Sequence, residues 1–414
     1  MNEVEVASIA PTLAEIETAR EVVGAVADVT PMQVSRSIAE ILGSPVFLKC
    51  ENLQRTGAYK IRGAYNRLAK LTAEERARGV VAASAGNHAQ GVALAARELG
   101  IRATIFAPIG AALPKVQATR GYGADVRLVG DVFDETNAAA QEYATETGAV
   151  FIPPFDHLDV ITGQATLGLE IWDQVPDLDT VIVPIGGGGL AAGVATALKL
   201  KAAEAGRTIQ VIGVQAANAA GFLPSLEAGR VVTASISPTI ADGIAVARPG
   251  ELTFPLIEEF VDGVVTVSDD EIARALVVLL ERAKLVVEPA GAVGVAAIVH
   301  GAIKATGKTV VLLSGGNIDP LLMERVISRG LTASQRYLRV TIPLQDRPGQ
   351  LATISEIIAA ANANVVEVRY SRQNLDLKFT DVEIEIHMET RGAEHANLVL
   401  ARLRGAGYQP RVVA

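Results

Sequence analysis

One cysteine, Cys50, is all the thiol chemistry that this chain of 414 residues holds. A lone cysteine closes no internal disulfide, which fits a reducing compartment. It ends the apolar run 46–50, so a small buried residue is expected there rather than a nucleophile. Long apolar runs are missing too, since none approaches the roughly 18 residues of a membrane-spanning helix. There is no excess of positive charge. The net charge of -9 argues against nucleic acid or an anionic membrane as a partner, because both demand basic patches. The segment Met1-Asn2-Glu3-Val4-Glu5-Val6 lacks the basic region of a signal peptide, and a cytoplasmic protein is expected. Low-complexity tracts and solenoid-length repeats are absent as well.

What remains is a chain with 50% hydrophobic and 20% charged residues, suited to a globular enzyme with a large core. Its length predicts two or three domains. Apolar runs at 80–83, 103–107, 125–129, 180–185, 208–215 and 309–313 read as buried strands. Amphipathic stretches at 90–99, 115–122 and 190–205 alternate with them, which predicts an α/β fold with a mainly parallel sheet. Residues 328–334 are polar and interrupted by Gly330, and they read as a linker. Beyond them the order is strand 337–344, helix 350–361, strands 364–369 and 380–388, helix 393–404 and a short strand near 409–413. That β-α-β-β-α-β order is the ferredoxin-like split arrangement. Asp346 is expected to cap the first of its helices, with Pro348 in the first turn.

Four segments carry chemistry. In Thr56-Gly57-Ala58-Tyr59-Lys60-Ile61-Arg62-Gly63-Ala64 a lysine sits among small residues that leave room for a bulky group, with Tyr59 able to pack on it. Lys60 is either a solvated surface charge or an amine with lowered proton affinity, available to an aldehyde near neutral pH. Arg62 is the cation nearest to it in sequence. The turn Gly186-Gly187-Gly188-Gly189-Leu190 links a strand to a helix, where backbone N–H groups attract an anion. It nearly matches a dinucleotide fingerprint, but the next strand ends in Gln215 instead of the acidic residue a ribose needs. A phosphate without adenosine fits better. Ser84-Ala85-Gly86-Asn87-His88 is another strand–helix turn, able to cap the helix or to offer donors to a carboxylate and a phenolate. His88 is either a general base or a structural hydrogen-bonding group. Ser314-Gly315-Gly316-Asn317 closes a further strand, where it is a plain turn or a hydroxyl facing a pyridine nitrogen. Together these suggest an aldehyde cofactor with a phosphate tail.

In this order, the four segments and Gly163-Gln164-Ala165-Thr166 resemble the fold-type II pyridoxal-phosphate enzymes, in particular the threonine ammonia-lyases, over essentially the whole chain. The resemblance implies paired open twisted α/β sheets of the tryptophan-synthase-β-like class in a catalytic domain over 1–330. A small subdomain over about 51–150 would be inserted in it. A linker over 331–336 would lead to a ferredoxin-like ACT domain over 337–414, carried by Asp346-Arg347-Pro348-Gly349-Gln350-Leu351. It also implies that Lys60 holds pyridoxal 5'-phosphate as a Schiff base and that Tyr59 stacks on the ring. Asn87 would bond the phenolic oxygen, Gly186, Gly187, Gly188, Gly189 and Leu190 the phosphate, and Ser314 the ring nitrogen. Ser84, Ala85, Gly86, Asn87 and His88 would bind the substrate carboxylate.

The activity implied is conversion of L-threonine to 2-oxobutanoate and ammonia, with L-serine as a second substrate. Regulation by an amino acid at the ACT domain and a homo-oligomer, tetramer or dimer, go with it. No metal ligand is assigned. Serine racemases carry a serine where this chain has Ala85, which disfavours racemization. Many relatives carry serine where it has Ala58. The alternatives are a serine dehydratase or racemase of the same fold, or a non-catalytic amino-acid sensor.

Overall fold

The computed structural model describes residues 9–333, 335–372 and 381–413. They fall into two compact units, Met1–Pro320 and Leu321–Ala414. The first unit contains β1 (Met32–Val34), β2 (Val46–Cys50), β3 (Val80–Ala83), β4 (Ala103–Ala107), β5 (Asp125–Leu128), β6 (Val150–Phe151), β7 (Thr180–Pro184), β8 (Gln210–Ala216), β9 (Gly263–Val267) and β10 (Thr309–Leu313). A six-stranded sheet has the order β1-β2-β10-β7-β8-β9, parallel except at its β1 edge. A smaller parallel sheet, β5-β4-β3-β6, is built from strands lying between β2 and β7 in the chain.

Every residue of β3, β7 and β10 is buried, as expected of strands covered on both faces by helices. The main core packs Val181, Val183, Val310 and Leu312 against Leu167 and Ile171 of the helix Leu158–Gln174 and Val194 and Leu198 of the helix Gly189–Glu204. The strands not anticipated are β1, β6 and β9. Two of these are only two or three residues long, and β9, Gly263-Val264-Val265-Thr266-Val267, is a partly exposed edge strand.

The second unit holds all but the first residue of the helix Pro320–Ala333, then β11 (Tyr337–Gln345), the helix Gln350–Ala360, β12 (Asn364–Ser371), β13 (Asp381–Glu389), the helix Ala393–Gly405 and β14 (Arg411–Val412). The antiparallel order β12-β13-β11-β14 is the split βαβ arrangement. In β11 alternate residues Leu338, Val340, Ile342 and Leu344 face the core, together with Ile354, Ile358, Val399 and Leu403 of its helices. The start expected for β13, Thr380, lies outside the described residues.

Two local expectations are corrected. Residues 328–333, read as linker and including 331–333 of the expected 331–336, continue a helix. Glycine within a helix costs only about 1 kcal/mol, and the buried pair Val326 and Gly330 keeps helical spacing across it. Asp346 does not cap the following helix. Gly349, at φ 91°, takes the cap position, Pro348 lies before the helix, and Asp346 pairs instead with Arg372 at 3.0 Å.

One buried polar cluster ties the lysine-bearing segment to the rest of the first unit. Arg62 donates to both oxygens of Glu51 (2.8 and 2.9 Å) and both oxygens of Glu170 (2.6 and 3.0 Å). Lys49 Nζ donates to Glu170 (2.8 Å), Thr30 O and Gln174 Oε1. Burial opposes ionisation of Glu51, but Arg62, Thr30 and Lys49 outweigh it and hold the carboxyl below its ordinary range. A carboxyl depressed by folding contributes stability above its unfolded pKa, and that contribution is lost as pH falls through the folded value. Arg62→Leu should lower unfolding stability by about 3–5 kcal/mol, the usual result of leaving a buried charge unpaired. Denaturant titration measures this, and an unchanged midpoint would refute a stabilising role for the cluster.

Candidate active site

The parallel pairing of β10 with β2 sets Leu313 opposite Cys50, so the segments that follow both strands emerge side by side. Tyr59 N–H donates to Ser314 O (3.2 Å), Gly316 N–H donates to Gly57 O (2.8 Å), and Ala58 bridges Gly315. These bonds hold Lys60, the first residue of the helix Lys60–Ala69, beside the end of β10. Three glycines let other helices approach its backbone. A Cβ on Gly91 would lie 3.1 Å from Lys60 C, one on Gly163 2.6 Å from Arg62 O, and one on Gly63 2.8 Å from Val160 O.

Lys60 Nζ donates to Pro154 O (2.8 Å) and lies 5.3 Å from the centroid of the Tyr59 ring. Burial brings its pKa down to about 8, against an opposing pull from Glu288. Lowered proton affinity was expected, but Arg62 is not its cause, because the guanidinium turns into the cluster of Glu51 and Glu170. Tyr59 is half-buried against the main core, and burial pushes its hydroxyl well above its ordinary range.

The tetraglycine turn follows β7 and opens the helix Gly189–Glu204, with Gly188 at φ 100°. It is a tight cradle. A Cβ on Gly186 would lie 2.9 Å from Ile244 Cα, one on Gly188 2.6 Å from Thr253 Oγ1, and one on Gly189 2.9 Å from Phe155 Cβ. Thr253 Oγ1 donates to Gly187 O (2.7 Å), while Asp156 accepts from the N–H groups of Glu251, Leu252 and Thr253. The Leu190 side chain is part of the main core, so only its backbone is available to a phosphate. Gln215 is buried and accepts from Phe222 N–H (3.1 Å), a structural role that leaves no acidic partner for a ribose at this strand end.

The turn after β3 differs from expectation in detail. The helix starts at Asn87 rather than near residue 90, Gly86 is its cap residue, and Ser84 Oγ accepts from Gly86 N–H (3.1 Å). The first N–H groups of this helix have no acceptor within it, which suits an anion. His88 is spent elsewhere. It is buried, pairs through Nε2 with Ile152 O (2.9 Å), and is brought down to about 3 by burial and by Lys60. A neutral imidazole bonded to a carbonyl must donate to it, so Nε2 is not basic, and with the pKa at about 3 the remaining nitrogen Nδ1 is only a weak base.

Asn87 Nδ2 donates to Glu288 Oε1 (2.7 Å), and its Oδ1 accepts from Asn317 Nδ2 (2.8 Å). Ser314 is 4% exposed and directly follows β10. A hydroxyl at this strand end, a cradle that admits no side chain and a low-pKa amine fit a ring nitrogen, a phosphate and an aldehyde. Among the described residues no cluster of three or more His, Cys, Asp or Glu could hold a metal ion. Cys50 is buried and its thiol is raised to about 11, as befits a core residue.

Sequence inspection missed Pro154, Phe155, Asp156, Thr253 and Glu288. The Pro153-Pro154 pair and Glu288-Pro289 were visible as turn and helix-start signals, but nothing local pointed them at the lysine.

Comparison with known proteins agrees with this chemistry. Residues 26–315 match the family model described as pyridoxal-phosphate dependent enzyme. L-threonine ammonia-lyase of Thermotoga maritima is 45% identical over 97% of this chain and 99% of its own length. The catabolic L-threonine dehydratase TdcB of Escherichia coli K12 is 48% identical over 70% of this chain and 88% of its own. Among solved structures, processed threonine deaminase isoform 2 from Solanum lycopersicum covers 80% of this chain and 94% of its own, at 38% identity and a TM-score of 0.73. Maize serine racemase covers 79% and 99%, at 36% identity and the same TM-score of 0.73. On these matches, the chain belongs to the family of pyridoxal-phosphate dependent enzymes.

Proposed function

We propose that this enzyme is a pyridoxal-phosphate-dependent L-threonine ammonia-lyase, forming 2-oxobutanoate and ammonia and accepting L-serine as a second substrate. The observation that carries the proposal is the Lys60 amine, brought by burial to a pKa of about 8, on a segment whose Tyr59 N–H is bonded to Ser314 O. Similarity to L-threonine ammonia-lyases supports the substrate.

Pyridoxal phosphate, when bound, supplies an aldehyde for amines and a ring that spreads negative charge away from Cα. Lys60 would hold the aldehyde and, once free, would take the Cα proton; a pKa near 8 lets the amine work near neutral pH. Backbone N–H groups of Gly186, Gly187, Gly188, Gly189 and Leu190 would bind the phosphate. Ser314, a neutral hydroxyl, would face the ring nitrogen without forcing its protonation. Tyr59 would pack on the ring, and the second Nδ2 hydrogen of Asn87 would meet the phenolic oxygen. Ser84, Ala85, Gly86, Asn87 and His88 would hold the substrate carboxylate through backbone donors at the helix start. Ala85 offers no hydroxyl, so proton transfer is confined to the face that Lys60 serves and elimination is favoured over racemization.

Residues 1–330 would form the catalytic domain, with the small sheet as its inserted subdomain, and 337–414 an ACT-like domain that binds an amino-acid effector. The split βαβ order of the second unit supports the latter. A cytoplasmic homo-oligomer completes the proposal, and no helix among the described residues is long and apolar enough to cross a membrane.

Lys60→Ala should abolish the visible absorbance of the bound cofactor and reduce L-threonine turnover by more than about 10²–10⁴-fold, the usual contribution of acid–base catalysis alone. Normal activity in that variant would sink the assignment. Ala85→Ser is expected to produce D-amino acid beside the keto acid, measured by chiral chromatography; no D-product would refute the one-face argument. Turnover with added isoleucine or valine should change in the full chain and not in a variant lacking residues 337–414. Identical rates in both would remove the regulatory role.

A further inference from the structure

Asn87 and the two polar side chains beside it, Asn317 and Glu288, form a chain whose orientation is fixed by chemistry. Thr56 O can only accept, so Asn317 must present its amide nitrogen to it, at 2.6 Å. The same nitrogen donates to Asn87 Oδ1 at 2.8 Å, which turns Asn87 Nδ2 toward Glu288 Oε1 at 2.7 Å. An ionised carboxylate can only accept, so both ends of the chain agree on one orientation for Asn87. One Nδ2 hydrogen is spent on Glu288, and the other is the only N–H that the Asn87 amide has left for a ligand.

Glu288 is well placed to impose this. It is 3% exposed, and its backbone N–H donates to Gly315 O (3.0 Å), next to Ser314. A Cβ on Gly243 would lie 3.8 Å from its Oε1, so the turn carrying Asp242 packs on the same carboxyl. The charged or titratable groups facing it are Asp242, Lys115 (itself 3.1 Å from Asp242), Lys60 and Tyr59.

We propose that Glu288 is the positioning residue of this site: its carboxylate, with Asn317, locks the Asn87 amide toward the phenolic oxygen of the cofactor, and its protonation weakens that lock. The proposal rests on the assignment of Asn87 to that oxygen. Burial, reinforced by Asp242, raises the Glu288 pKa to about 7, against the opposing pull of Lys115, the Asn87 amide and Lys60. The group is therefore ionised and the lock engaged above about pH 7, and the charge-assisted bond to Asn87 is lost as pH falls through that value. Since His88 is neutral throughout this range, it does not supply the same transition.

The test is a pH titration of the holoenzyme from 5.5 to 9, following the absorbance of the bound cofactor and kcat/KM for L-threonine. Wild type is expected to show a transition near pH 7 in both. Glu288→Gln keeps an acceptor for Asn87 but cannot titrate, so its absorbance should be flat through that range with cofactor still bound. Glu288→Asp keeps the carboxyl but draws it back from Asn87, and should retain a transition while binding cofactor at least tenfold more weakly. A Glu288→Gln enzyme that titrates like wild type overturns the proposal, as does a Glu288→Asp enzyme with wild-type affinity. If either occurs while Lys60→Ala has lost the cofactor absorbance, only the role of Glu288 fails. If Lys60→Ala keeps that absorbance, the assignment of the site fails with it.

Discussion

The first unit depends on a salt-bridge cluster that few folds would tolerate. Two cations, Lys49 and Arg62, and two carboxylates, Glu51 and Glu170, sit almost fully out of water. Removing ions from water costs several kcal/mol each, and their attraction offsets that cost only when geometry is excellent. Here both carboxylates are bidentate to one guanidinium, Thr30 satisfies a further lone pair of Glu51, and the formal charges cancel. The cluster draws on β2, on the helix that begins with Lys60 and on the helix Leu158–Gln174, so it fixes how these three elements meet. A hydrophobic contact could supply similar energy but not the same direction, because a fork-shaped donor accepts its partners in few arrangements.

Because Arg62 is fully engaged there, the site two residues away is shaped by desolvation rather than by a neighbouring cation. Burial acts on each ionisable group according to its sign. It favours the neutral amine at Lys60 and the neutral imidazole at His88, and it favours the protonated acid at Glu288. Burial is thus the largest cause that brings an amine and a carboxyl to pKa values of about 8 and about 7, and, with Lys60, it removes a histidine from the same range altogether.

Much of this was legible in the chain. Strands β7 and β10 announce themselves as unbroken apolar runs, and the turns after them contain the small residues that a close ligand requires. Lys60, the tetraglycine turn and Ser314 were therefore singled out from residue type and spacing. What sequence could not show is where a side chain spends its hydrogen bonds. His88 could be read as a base, though more readily as a structural group, and its bond to Ile152 O gives it the structural role. Glu288, 201 residues from Asn87, carried no local signal, because its role arises only when the end of β10 and the start of the helix after β3 converge. The helix through Gly330 failed for a different reason: a single glycine and a polar neighbourhood look like a break, yet helical spacing of Val326 and Gly330 carries the turn through.

The three glycines around the lysine-bearing helix have a consequence for precision. Where two elements meet through interdigitated side chains, each can relax by changing rotamer, and the position of a reactive atom inherits that spread. At Gly91 and Gly163 the neighbouring elements meet main chain to main chain, while at Gly63 the Gln164 side chain shares the contact with the Val160 carbonyl. The root of Lys60 therefore has the positional variance of a backbone, and what freedom the amine retains lies in its own four methylenes. A flexible arm on a rigid mount suits a group that must first hold one partner and then reach for another.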